Sequence, residues 1–143
     1  MERQIVFRGK RIDNGEWIFG NLADYSMKVF NTTIEKKVIF SNIVIFATDN
    51  FGFVVDDCAV DPNTIGQFTG LLDKNGKEIY EGDIILQQGY SSKRPMLVRF
   101  GHGAFIVGWH GGSSTATRPM LIQKRCEVLG NIYENPELIS KKQ

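Results

Sequence analysis

The chain has 143 residues, 42% hydrophobic and 23% charged, and a formal net charge of +1. This is the composition of an ordinary soluble globular protein of one or two small cores, and it excludes a disordered, collagen-like or disulfide-stapled chain. It also argues against a dedicated polyanion binder, although the charge is banded: residues 49–83 carry eight acids against two bases, and residues 84–130 six bases against one acid.

Two cysteines, Cys58 and Cys126, make no disulfide framework, and the start MERQ opens directly into a short β-like run rather than a signal peptide. The apolar runs reach only about five residues, far below a membrane span. A cytoplasmic protein with free thiols is the expectation.

In chain order, residues 4–8 and 16–22 alternate in a strand-like way, and Asp13-Asn14-Gly15 between them predicts a β-hairpin with Trp17 in its core. Residues 23–37 show no clear period; they read either as a strand pair with a polar tip or as a surface loop. Residues 38–46, VIFSNIVIF, form a strong β run interrupted at Ser41-Asn42, and Asp49-Asn50 marks a turn before residues 51–55. Asp56, Asp57 and Asp61 bracket Cys58-Ala59-Val60. Paired carboxylates of this kind can bind a cation or serve acid/base chemistry, but no further ligand type lies nearby, so a solvated turn is the plainer reading. Asp61-Pro62 fits an N-cap followed by proline in the first helical position.

Residues 66–86, GQFTGLLDKNGKEIYEGDIIL, are the most densely specified part of the chain. Asp73-Lys74-Asn75-Gly76 predicts a tight turn, and Asp83-Ile84-Ile85-Leu86 starts a buried strand. Residues 96–100 place Met96, Val98 and Phe100 on one face and Arg99 on the other. Gly101-His102-Gly103 reads as a three-residue turn into residues 104–110, with Phe105, Val107 and Trp109 on one face. Residues 111–117, GGSSTAT, read as a flexible loop, and residues 119–124 and 126–130 as the last strands. Asn135-Pro136-Glu137-Leu138 suggests a capped terminal helix.

The fold class is therefore mainly β: short strands and hairpins, with at most two short helices. Residues 1–61 are expected to form an N-terminal hairpin or meander. Residues 62–143 have the strand spacing of a small, partly closed barrel with a short C-terminal helix, either separate or sharing one core with the first part.

No P-loop, GxSxG, HExxH or paired CxxC is present. Glu78, Glu81 and Asp83 are the most tempting acid group, but a turn feeding a strand explains them without chemistry. Cys58 and Cys126 are expected to be buried and inert, and His102 and His110 to be exposed turn or strand-end residues. The best functional lead is basic: Lys93, Arg94, Arg99, Arg118, Lys124 and Arg125 fall on loops and strand edges around Tyr90, Phe105 and Trp109. Small barrels bind single-stranded nucleic acid with such cations and aromatics. Solvated edge charges are the competing reading.

Residues 65–71 (IGQFTGL), 73–84 (DKNGKEIYEGDI) and 128–138 (VLGNIYENPEL), with weaker matches at residues 7–10 and 15–22, resemble the YopX family of phage and prophage proteins. The resemblance implies a phage-encoded protein in the bacterial host cytoplasm, an SH3-like β-roll in the later part of the chain, and self-assembly into a ring or other oligomer. It implies no activity and no site residues. The expectation is a non-catalytic, homo-oligomeric binding or assembly module, with no cofactor, metal site, membrane contact or small-molecule substrate. The charge bands suggest a head-to-tail contact, acidic 49–83 against basic 84–130 of the next copy. A nucleic-acid-binding small barrel is the alternative, and an enzyme with an unrecognised site is the third reading.

Overall fold

The computed structural model describes residues 4–40, 57–88, 94–108, 118–119 and 125–140. These residues build a mainly β protein of antiparallel strands, and its helices are limited to the three-residue 3₁₀ turns Pro62–Thr64 and Pro136–Leu138. No helix among them is long and apolar enough to cross a membrane. The chain divides into two compact units, Gln4–Gln67 and Phe68–Gln143.

The first unit is an antiparallel sheet in which β1 (Phe7–Lys10), β2 (Trp17–Val29), β3 (Thr32–Phe40) and β4 (Asp57–Ala59) pair in sequence order. The predicted Asp13-Asn14-Gly15 turn joins β1 and β2, with Gly15 at φ +72°. Residues 23–37, ambiguous in the sequence, are a strand pair. β2 and β3 stay in register from Asn21↔Phe40 to Val29↔Thr32, so Phe30 and Asn31 alone make the loop. Residues 57–59, read from the sequence as a solvated turn, instead pair with β3 through Val38↔Ala59 and Phe40↔Asp57. The run at residues 41–46, the Asp49-Asn50 turn, residues 51–55 and Asp56 lie outside the described residues.

Val38, Ile39 and Val60 are the buried centre of this unit. A Cβ on Gly9 would lie 3.1 Å from Val60 Cβ, so glycine lets β1 sit close to that core. Asp61 caps the 3₁₀ turn as the sequence predicts, accepting from Asn63 N at 3.0 Å, with Pro62 in the first turn. The buried Thr64 accepts from Lys10 N and donates to Asp61 O, both at 2.8 Å, which ties the turn to β1. Trp17 departs from the expectation of a core residue. It is half-buried, with the Arg8 guanidinium 4.7 Å and Lys10 Nζ 5.5 Å from its ring centre, so its ring faces cations.

β5 (Gly66–Leu72) pairs by Gly66 and Gln67 with β1, and by its later residues with β6 (Glu78–Tyr80). In the second unit β7 (Asp83–Gln87), β8 (Met96–Gly101), β9 (Ala104–Gly108) and β10 (Arg118–Pro119) form a meander, and β11 (Cys126–Asn131) returns to pair with β7. The order is β10-β9-β8-β7-β11; no pairing that closes this sheet into a barrel occurs among the described residues.

Ile79, Ile85, Met96, Val98, Val107 and Cys126 are its core, with Leu71 and Val128 packed on them. Asp83, Ile84 and Ile85 are buried in succession, as are Met96, Leu97 and Val98, so both faces of β7 and β8 are covered at their starts. That is why the sequence there is a continuous apolar run rather than an alternation.

Three local expectations are corrected. The β8–β9 loop is two residues, His102-Gly103, both at positive φ (52° and 77°), because Gly101 already pairs with Ala104. Phe100 does not share the buried face of Met96 and Val98. It sits at the strand end, 54% exposed, edge-on to Phe105 at 5.3 Å. Asn135 caps no N–H of the 3₁₀ turn that follows; its Oδ1 accepts from Asn131 N at 3.3 Å, folding the end of β11 back on itself.

Candidate functional site

The acidic residues of the 66–86 stretch are held by the fold. Asp73, only 3% exposed, accepts from Asn75 N at 2.7 Å and Lys77 N at 3.0 Å through Oδ1, and from Val128 N at 3.1 Å through Oδ2. It therefore closes the β5–β6 turn and fastens it to β11. Lys74 reinforces the same junction: its N–H donates to Cys126 O at 2.9 Å, and its Nζ lies 2.5 Å from Glu127 Oε2. Burial works against the charged form of Asp73, but the donors Val128, Lys77 and Asn75, with the Lys77 charge, hold its carboxyl below the usual carboxylate range.

Glu78, Glu81 and Asp83 do not converge on an open point. Glu78 accepts from Tyr80 Oη at 2.7 Å, Glu81 from Phe100 N at 3.3 Å, and Asp83, 1% exposed, from Tyr80 N at 2.8 Å. Each carboxylate accepts a hydrogen bond that fixes a neighbouring turn or strand end. Among the described residues no three His, Cys, Asp or Glu side chains are placed to hold a metal ion. Cys126 is 2% exposed, and burial first, then the Asp73 charge, pushes its thiol up, so it has little thiolate character. Cys58 lies on β4. His102 is exposed.

Among the described residues, the candidate basic ones of the second unit lie on different strands or strand ends. Arg94, Arg99 and Arg125 are exposed. Arg118 lies on β10, paired with Val107, and Arg99 lies on β8, paired with Ile106. One strand separates these two, or about 10 Å. Arg125 leads into β11, at the opposite edge of the sheet from β10. Lys93, Lys124, Tyr90, Trp109 and His110 lie outside the described residues.

The feature that sequence reasoning missed is on the first unit. β2 and β3 are joined by Phe30-Asn31, and Phe30 is 96% exposed with φ +54°. The first position of a two-residue hairpin loop at positive φ is ordinarily glycine's, or that of Asn or Asp; a bulky aromatic there is strained. Lys28 is one residue before the end of β2. Further back along the same hairpin is an open groove of about 500 Å³. Ile12 and Pro62 supply its exposed apolar surface over the buried Val60, and Asp24, Ser26, Glu35, Lys36 and Lys37 line it from β2 and β3. Asp24 and Lys37 form an ion pair across the two strands. The strand pair was one of two readings of residues 23–37, but the loop lacks the glycine that marks a two-residue turn, so the tip at Phe30-Asn31 carried no signal.

No curated protein matches the chain. Among solved structures, protein EF1440 from Enterococcus faecalis is similar, with a TM-score of 0.55 and 24% identity over 96% of this chain and 99% of that one, a likeness of fold. The family profile described as YopX protein matches residues 6–140. A match over nearly the whole chain is decisive: the chain belongs to the YopX family.

Proposed function

We propose that this YopX-family chain is a non-catalytic accessory protein of phage or prophage origin that acts in the host cytoplasm as a homo-oligomeric binding or assembly module. The observation that carries this reading is the set of large apolar side chains left open to water. Phe30 is 96% exposed, Ile12 66%, Ile5 56%, Phe100 54% and Phe19 47%. Single exposed apolar residues are common, but a strained aromatic at a hairpin tip has no role in holding the monomer together. The carboxylates of the 66–86 stretch, by contrast, are engaged in turns and strand ends, which supports a binding role over a catalytic one. Native mass measurement at low and high salt should give species heavier than the 16.2 kDa monomer. Monomer alone under both conditions would overturn the reading.

A second reading is favoured by Arg99 and Phe100, adjacent and both exposed on β8. On a strand these two side chains project to opposite faces, so they would act at the strand's end, the cation on phosphate and the open ring on a base. On this reading the chain binds single-stranded nucleic acid weakly and in a salt-sensitive way, and Arg99→Ala lowers the affinity and the steepness of its salt dependence. The absence of any gel shift at low salt would remove it.

A further inference from the structure

We propose that the chain associates tip to groove: Phe30 at the end of the β2–β3 hairpin of one copy enters the groove at the foot of the same hairpin in a second copy. The inference rests on the homo-oligomeric reading above and names the surfaces that would serve it.

The tip has the properties of an anchor. Phe30 is almost wholly exposed and sits at a φ of +54° that its side chain resists. Aromatic anchors that fill a partner's cavity dominate many interfaces. The groove has the properties of a receiver. About 500 Å³ with Ile12, Val60 and Pro62 in its lining accommodates an aromatic ring, and the charged residues around them form a polar border.

A chain cannot fill its own groove. Ser26 lines the groove and Phe30 lies four residues further along the strand, so the continuous ladder from Asn21↔Phe40 to Val29↔Thr32 holds the tip about 13 Å away. The occupant must come from outside, and a second copy brings an anchor already of the right chemistry. Asp24 and Glu35 balance Lys36 and Lys37, so the groove as a whole is neutral and burial of Phe30 leads the contact. Lys28, on the tip, is placed to meet Glu35 and set the orientation.

The test uses two full-length variants. Phe30→Gly removes the anchor and suits the positive φ, so the unfolding midpoint should equal or exceed that of the wild type. Ser26→Trp fills the groove from an exposed strand position. Each alone should associate at least tenfold more weakly than the wild type in sedimentation velocity. Mixed together they should form a one-to-one heterodimer and nothing larger, because the mixture holds one intact tip on the Ser26→Trp chain and one intact groove on the Phe30→Gly chain. If both variants associate like the wild type, the tip-to-groove contact is overturned while self-association stands. If both are weakened but no heterodimer forms on mixing, the pairing of these two surfaces is likewise overturned. If the wild type is itself a monomer, this inference and the homo-oligomeric reading fail together.

Discussion

Replacing Asp73 with alanine should lower the stability of the protein by roughly 2–4 kcal/mol, read as a reduced urea midpoint. The side chain is nearly inaccessible and its two oxygens accept three backbone N–H bonds, from Asn75, Lys77 and Val128. Two of these close the turn between β5 and β6, and the third reaches 55 residues along the chain to β11. Alanine leaves those donors without that acceptor in a crowded junction, and the loss of buried partners is what makes such truncations costly. Asp73→Asn should do less damage, since its amide oxygen can still accept.

The same residue gives the protein an acid-side pH dependence. The Asp73 carboxyl is lowered from its ordinary 3.8 in the folded state. A depressed carboxylate contributes stability that is present above the unfolded value and lost as pH falls through the folded one. Wild-type stability should therefore erode below about pH 3.8, and the gap between wild type and Asp73→Ala should narrow over the same range. A gap unchanged from neutral pH to pH 2 would mean that the charge on Asp73 is not what holds the junction.

The second large effect is expected at Gly82. It occupies the turn between β6 and β7 at φ +87°, a region that L side chains resist. A Cβ there would also stand 2.8 Å from Tyr133 Cε2. The turn has little room to move, because Gly82 N donates to Val98 O and Gly82 O accepts from Ile132 N, both at 2.9 Å. Backbone strain and the clash together should make Gly82→Ala destabilising by roughly 2–4 kcal/mol. Adding Tyr133→Leu to Gly82→Ala should restore part of the loss, relative to Tyr133→Leu alone, by removing the clash but not the strain. A Gly82→Ala protein as stable as the wild type would show that this turn accommodates a side chain.

Both effects fall in the stretch that the sequence specifies most densely, and they explain that density. DKNG, EGD and Asp61-Pro62 were legible because their chemistry is local: an aspartate two residues before the N–H it accepts from, a glycine where φ is positive, a proline where no donor is needed. The β8–β9 hairpin was legible by alternation, apart from its loop length, which depends on whether Gly101 pairs or turns.

The β2–β3 hairpin was half legible: a strand pair was one of the two readings of residues 23–37, but its tip is Phe30-Asn31 rather than polar throughout. Asp24, Ser26 and Lys28 alternate with apolar residues, but residues 31–33 and 35–37 are polar in succession and the loop has neither glycine nor proline, so the second strand and the turn carry no local signal. What holds it is a register of nine paired positions, a property of two segments together. Asp73 hid its second role for a similar reason: its bond to Val128 spans the whole β7–β10 meander. The placement of the described basic residues also depends on the sheet rather than on sequence distance. Arg118 and Arg125 are seven residues apart, yet β10, which holds the first, and β11, which the second leads into, are at opposite edges.

The buried carboxylates of the second unit are thus engaged in turns and strand junctions, while a strained, open aromatic stands at the end of a long hairpin in the first. The proposed function requires that the chain associate with copies of itself. Sedimentation velocity of the full-length chain across the micromolar range, at physiological salt and without nucleic acid, tests it most directly. A concentration-dependent species heavier than the 16.2 kDa monomer is expected. A single monomeric boundary at every concentration would contradict it.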